Sequence, residues 1–133
     1  MKVIVDTCIW SIALRRNSPK PHSSTNELKK LIEDARVQMI GPIRQELLSG
    51  ITLKSQFEKL KQYLTAFDDL IIQTDDYILA AEFFNLCRNK GIQGSFVDFL
   101  ICALSTKHQL AIFTDDNDFK LYAKILSLKL HTF

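Results

Sequence analysis

The chain has 133 residues, 47% of them hydrophobic, with nine Phe and one Trp, which is enough apolar material for one packed core and points to a single domain over residues 1–133. Its 17 basic and 15 acidic residues leave a formal charge of +2, which permits a polyanionic partner but excludes the strongly basic type of nucleic-acid domain. Cys8, Cys87 and Cys102 are widely spaced among apolar neighbours, so they read as reduced thiols rather than a disulfide framework. No apolar stretch approaches the length of a membrane span, and the N-terminus enters a strand without a signal-peptide pattern; the expectation is a soluble, cytoplasmic protein with no membrane partner.

Residues 3–5, Val-Ile-Val, form a short continuous apolar run of the kind found in a strand buried on both faces. Residues 7–14 predict a brief helix, cut off by Asn17, Ser18, Pro19 and Pro21. Ser24 and Glu27 have capping-box spacing and open a second helix. Residues 37–40 predict a strand, followed at once by Gly41 and Pro42, a proline suited to the first turn of a helix that ends at Gly50. Residues 53–67 repeat apolar side chains at helical period, and 70–72 read as a strand or extended segment. Thr74 or Asp75 caps a long helix closed by Gly91, and Ser95 opens another through His108. Residues 111–113 predict a strand, 116–125 a helix and 128–131 a last strand. Alternation of this kind gives an α/β fold with a short central parallel β-sheet flanked by helices on both faces.

In such a sheet the ligand crevice lies beyond the carboxyl ends of the strands. Asp6 closes the first apolar run and Asp115, Asp116 and Asp118 follow the run at 110–113, while Glu46 and Asp98 stand near helix starts. Brought together, these acids make a hard-oxygen site suited to a magnesium-type cation. Each also has a plain structural reading. Asp6 caps the following turn, Asp98 completes a capping box with Ser95, Glu46 is a solvated helix residue, and one of the three late aspartates is an N-cap. Thr7 has two readings: its hydroxyl orients the Asp6 carboxylate, or it is itself a cap. His22, His108 and His131 show no metal-ligand spacing, and His22 and His131 read as surface residues.

The order of these segments resembles the PIN-domain ribonucleases, and at this length the VapC-like toxins of toxin–antitoxin modules. The residues that carry the resemblance are Val5-Asp6-Thr7 with Trp10, the stretch from Pro42 through Gln45-Glu46-Leu47-Leu48-Ser49-Gly50, the run from Val97-Asp98-Phe99 to Ala103, and Thr114-Asp115-Asp116-Asn117-Asp118-Phe119. Asp6, Glu46, Asp98 and Asp116 match the family's acidic quartet and Asp118 its accessory acid. Asp115 stands where relatives usually carry a non-acidic residue, and Phe96 where they often carry proline. A haloacid-dehalogenase-type phosphatase needs a second Asp two residues after its nucleophile, where this chain has Cys8.

The resemblance implies a PIN-like fold and a metal-dependent endoribonuclease that hydrolyses RNA phosphodiester bonds with a metal-activated water. Its metal would be magnesium, with manganese as the alternative, on Asp6, Asp98 and Asp116; Glu46 and Asp118 would join directly or through water. Arg15, Arg16, Lys20, Arg44 and Lys120 are candidate phosphate contacts on the rim. The implied partners are RNA, a cognate antitoxin, a second copy in a homodimer, and operator DNA only through the antitoxin. A PIN nuclease of RNA maturation and a non-catalytic RNA- or protein-binding module are the alternatives. Neither the target RNA nor the number of metals is readable from the residues.

Overall fold

The computed structural model describes residues 1–15 and 22–133. The expected chain break at 17–21 and the rim candidates Arg16 and Lys20 lie outside the described residues. Strand β1 (Val3–Val5) is central, with β2 (Val37–Gln38) on one side and β3 (Ala111–Phe113) on the other, all parallel. Successive strand side chains point to opposite faces, and Val3, Ile4 and Val5 are all buried, so helices must cover both faces of β1.

The sheet is shorter than the apolar runs predict. Met39 makes only an isolated bridge, to Asp69, and the expected last strand contributes one bridge, Leu130 to Ile112. That last segment is held by two hydrogen bonds, Ile112 N–H to the Lys129 carbonyl at 2.8 Å and His131 N–H to the Ile112 carbonyl at 2.7 Å. Short parallel strands suffice here because the helices supply most of the buried area.

Seven helices are present among the described residues: α1 (Thr7–Ala13), α2 (Ser23–Glu33), α3 (Gly41–Leu48), α4 (Lys54–Leu64), α5 (Thr74–Asn89), α6 (Phe96–His108) and α7 (Asp118–Ala123). None is long and apolar enough to cross a membrane. Helix α6 is buried without interruption from Phe99 to Ser105, so it is apolar around its whole circumference and forms the centre of the core. At about 1.5–3 kcal/mol per large apolar side chain, this is the element whose burial stabilises the fold most. It packs along α5. Helix α4, by contrast, fully buries only Leu64 and lies on the surface.

Two helix starts differ from expectation. Helix α2 is capped not by Ser24 but by His22, whose Nδ1 accepts from the Ser24 N–H at 3.1 Å; Ser24 is buried in the first turn. Helix α5 is capped by Gln73, one residue earlier than Thr74, in a reciprocal box with Asp76, whose Oδ2 accepts from the Gln73 N–H at 2.8 Å. Asp76 is fully buried and also meets Lys107 and His108 at the end of α6 (3.3 and 3.2 Å), which clamps the start of α5 to the end of its neighbour. Nor is His131 a surface residue: its side chain is 11% exposed, 3.5 Å from Glu27, with its ring against Phe113.

Candidate active site

The strand order turns one way from β1 to β2 and the other way to β3, so a crevice opens beyond the carboxyl ends of β1 and β3. Asp6 and Thr114 sit at those two ends. The Asp6 N–H donates to the Phe113 carbonyl at 2.9 Å, which carries the pairing of the strands to the edge of the crevice. A cavity of about 530 Å³ lies there, lined by Asp6, Thr7, Cys8, Ser11, Glu46, Ser95, Val97, Asp98 and Asp116. Four carboxylates from four separate segments therefore share one space, and among the described residues no basic side chain lines it.

Asp6 both caps a helix and faces the cavity. Its Oδ1 accepts from the Thr7 N–H at 2.8 Å, and its Oδ2 accepts from the Thr114 hydroxyl at 2.8 Å. The Thr7 hydroxyl does not bond Asp6; it is buried with no hydrogen-bond partner among the described residues. Thr114 is a hub, since its Oγ1 also accepts from the Asp116 N–H at 3.0 Å, and Asp116 Oδ1 in turn accepts from the Asp118 N–H at 2.9 Å. The β3–α7 turn is thus wound around Thr114 so that Asp116 lines the cavity while Asp115 does not. Asp118 starts α7 and is exposed, outside the lining.

Asp98 lies in the first turn of α6. The Ser95 hydroxyl accepts from the Asp98 N–H at 3.0 Å, but the Asp98 carboxylate accepts from the Tyr122 hydroxyl at 2.8 Å. The structural and functional readings of Asp98 therefore coexist: its backbone serves the cap and its side chain faces the cavity. Burial pushes the Asp98 carboxyl above its ordinary range, and the charges of Asp6 and Asp116 push it the same way, against the hydrogen bonds of Tyr122 and Ser95. Crowded acids of this kind favour a cation among them.

Every carboxylate of the lining is a hard oxygen donor, which fits magnesium or manganese better than zinc. Among the described residues no group of three or more His, Cys, Asp or Glu already converges as a ready ligand set. Glu46, on α3, sits where the acidic cavity meets a second one of about 610 Å³; Ser11 and Glu46 line both. The floor of this neighbouring groove is apolar (Leu14, Leu47, Ile51, Leu60, Tyr63), and Arg15 and Lys59 stand on it.

The structure also assigns parts to residues that sequence reading passed over. Cys8 lines the cavity, with Sγ 3.6 Å from the Thr114 hydroxyl and 3.7 Å from Asp6 Oδ2. Burial raises its thiol above the ordinary value, so it stays protonated. Tyr122 falls within the helix expected at 116–125 and carries no motif of its own. Arg44 does not reach the cavity rim at all: it pairs with Asp69 at 3.0 Å and donates to the carbonyls of Leu64 and Phe67.

The fold has solved counterparts. VapBC2 from Rickettsia felis, bound to a DNA fragment from their promoter, matches with a TM-score of 0.79 and 20% identity over 100% of this chain and 99% of that one. FitAcB from Neisseria gonorrhoeae matches at 0.74 and 20% over 97% and 96%, and a toxin–antitoxin complex from Klebsiella pneumoniae at 0.60 and 18% over 89% and 90%. At such identities the likeness is one of fold. No curated protein sequence matches the chain. The PIN domain family model matches residues 3–125, nearly the whole chain with all of its candidate site acids, and the chain belongs to the PIN-domain family.

Proposed function

We propose that the protein is a metal-dependent endoribonuclease and the toxin of a VapBC-type toxin–antitoxin pair. The observation that carries this reading is the cavity itself, in which Asp6, Glu46, Asp98 and Asp116 meet with no basic side chain among the described lining residues to balance them. Asp6, Asp98 and Asp116 are the residues that would hold the ion, with Glu46 at the mouth and Asp118 behind Asp116. Magnesium or manganese, when bound, offsets the clustered negative charge and polarises water and phosphoryl oxygen for hydrolysis. The chain's own part is positional. Thr114 and the Thr7 N–H fix Asp6, and the turn around Thr114 presents Asp116.

RNA is the proposed substrate and the cytoplasm the proposed location. The apolar groove that runs into the cavity at Ser11 and Glu46 suits an antitoxin segment able to cover the acids, and operator DNA would be met only through that antitoxin. Support comes from the toxin–antitoxin complexes that share the fold. The proposed homodimer would use the face of α5 and α6 where Tyr77 and Phe96 are 55% and 81% exposed beside a cavity of about 560 Å³.

Purified protein free of antitoxin, incubated with total cellular RNA and magnesium or manganese, should give discrete fragments. EDTA and the Asp98→Asn variant should each abolish them. A folded wild-type protein that cuts no RNA with either metal refutes the reading, and fragments that persist in EDTA refute its metal dependence.

A further inference from the structure

Tyr122 is fully buried on α7, packed against Phe99 and Phe119 with ring centroids at 4.8 and 5.2 Å. A buried phenol needs a partner for its hydroxyl, and here the partner is Asp98 Oδ2 at 2.8 Å. The same Asp98 side chain lines the acidic cavity. The chain leaves room for this contact at Gly94. A Cβ built there would collide with the Tyr122 hydroxyl and stand 2.8 Å from its Cζ and 3.0 Å from Phe99 Cε2. Helix α7 begins in the turn that carries Asp116 and Asp118, so the Tyr122 bond joins the two walls of the cavity, one from α6 and one from the β3–α7 turn.

We infer that Tyr122 is a positioning residue for the acidic cavity: its hydroxyl engages one oxygen of Asp98 so that the other is turned to the cation, and Gly94 is the slot that admits it. The inference rests on the proposed metal-dependent reading of the site. Carboxylate ligands are commonly oriented by such outer partners, whose loss costs about 10–100-fold in metal affinity or activity.

Tyr122→Phe keeps the ring and removes only the hydroxyl, and Gly94→Ala keeps Tyr122 but closes its slot. Manganese affinity, read from the electron paramagnetic resonance signal of the free ion, is compared with melting temperature and with kcat and KM for RNA. Both variants should remain folded, bind manganese about tenfold more weakly and lose kcat with little change in KM. Tyr122→Phe that binds manganese and cleaves like wild type overturns the inference while the nuclease reading stands. A Tyr122→Phe protein that fails to fold also overturns it, because the hydroxyl then serves the fold and not the carboxylate. Wild-type protein that neither binds manganese nor cleaves removes the reading beneath it.

Discussion

Thr114 and Asp6, at the ends of two neighbouring parallel strands, are joined by a 2.8 Å hydrogen bond from the threonine hydroxyl to Oδ2. The same hydroxyl accepts from the Asp116 N–H, so one small side chain sets the spacing of two cavity acids. Thr114→Val keeps the shape and removes both bonds. RNA cleavage should fall about 10–100-fold, with a stability loss of about 2–4 kcal/mol by denaturant unfolding, because one lost bond is to a carboxylate and the other is a neutral one.

Asp115 and Asp116 are neighbours in sequence and opposites in placement. Asp116 lines the cavity; Asp115 is exposed and contributes its N–H to Cys8 Sγ at 3.5 Å. Asp116→Asn should abolish metal-dependent cleavage, whereas Asp115→Asn should leave the rate within about twofold, as surface substitutions away from a site usually do. Parallel kinetics on the two variants check this, and equal losses would reassign the acid.

Arg44 reads in sequence as a phosphate contact beside Glu46, but its guanidinium ties α3 to the segment after α4 through Asp69 and two backbone carbonyls. Arg44→Ala should therefore destabilise the protein by about 2–3 kcal/mol, since a charged donor leaves several acceptors unpaired. RNA affinity of the folded fraction should be unchanged. Urea unfolding and a binding titration on the same sample separate the two effects.

Asp76 predicts a pH dependence. Burial alone would raise its carboxyl, but the Gln73 N–H, Lys107 and His108 together hold it below the ordinary value. A lowered folded value means that the ionised carboxylate stabilises the native state. The contribution is complete above the unfolded value of about 4 and is lost as pH falls through the folded one. Asp76→Ala should cost about 2–3 kcal/mol at pH 7, from the cap and the charge-assisted bonds. The gap between variant and wild type in thermal melts should close towards pH 2; a constant gap would mean that the cap alone matters.

The separation between what is legible in residues and what is not follows the range of each interaction. Apolar runs at 3–5 and 111–113, the proline start of α3 and the Ser95 cap of α6 are local patterns, and each appears where expected. The ends of elements are less local. Leu130 pairs only once because its partner strand is three residues long, and α5 starts a residue early because Asp76 reaches back to Gln73.

By itself the sequence determined the class of the fold, because strands and helices follow from short-range periodicity and capping. The candidate acids came from the resemblance of their segments, and of these Asp118 stands outside the cavity lining. Only the tertiary structure decided how those acids are held. The Thr114 bond to Asp6 spans 108 positions and the Tyr122 bond to Asp98 spans 24, while Arg44 is drawn to Asp69, 25 positions away. Whether a carboxylate or guanidinium faces a cavity or a partner depends on how separate elements pack, and no pattern along the chain encodes that direction.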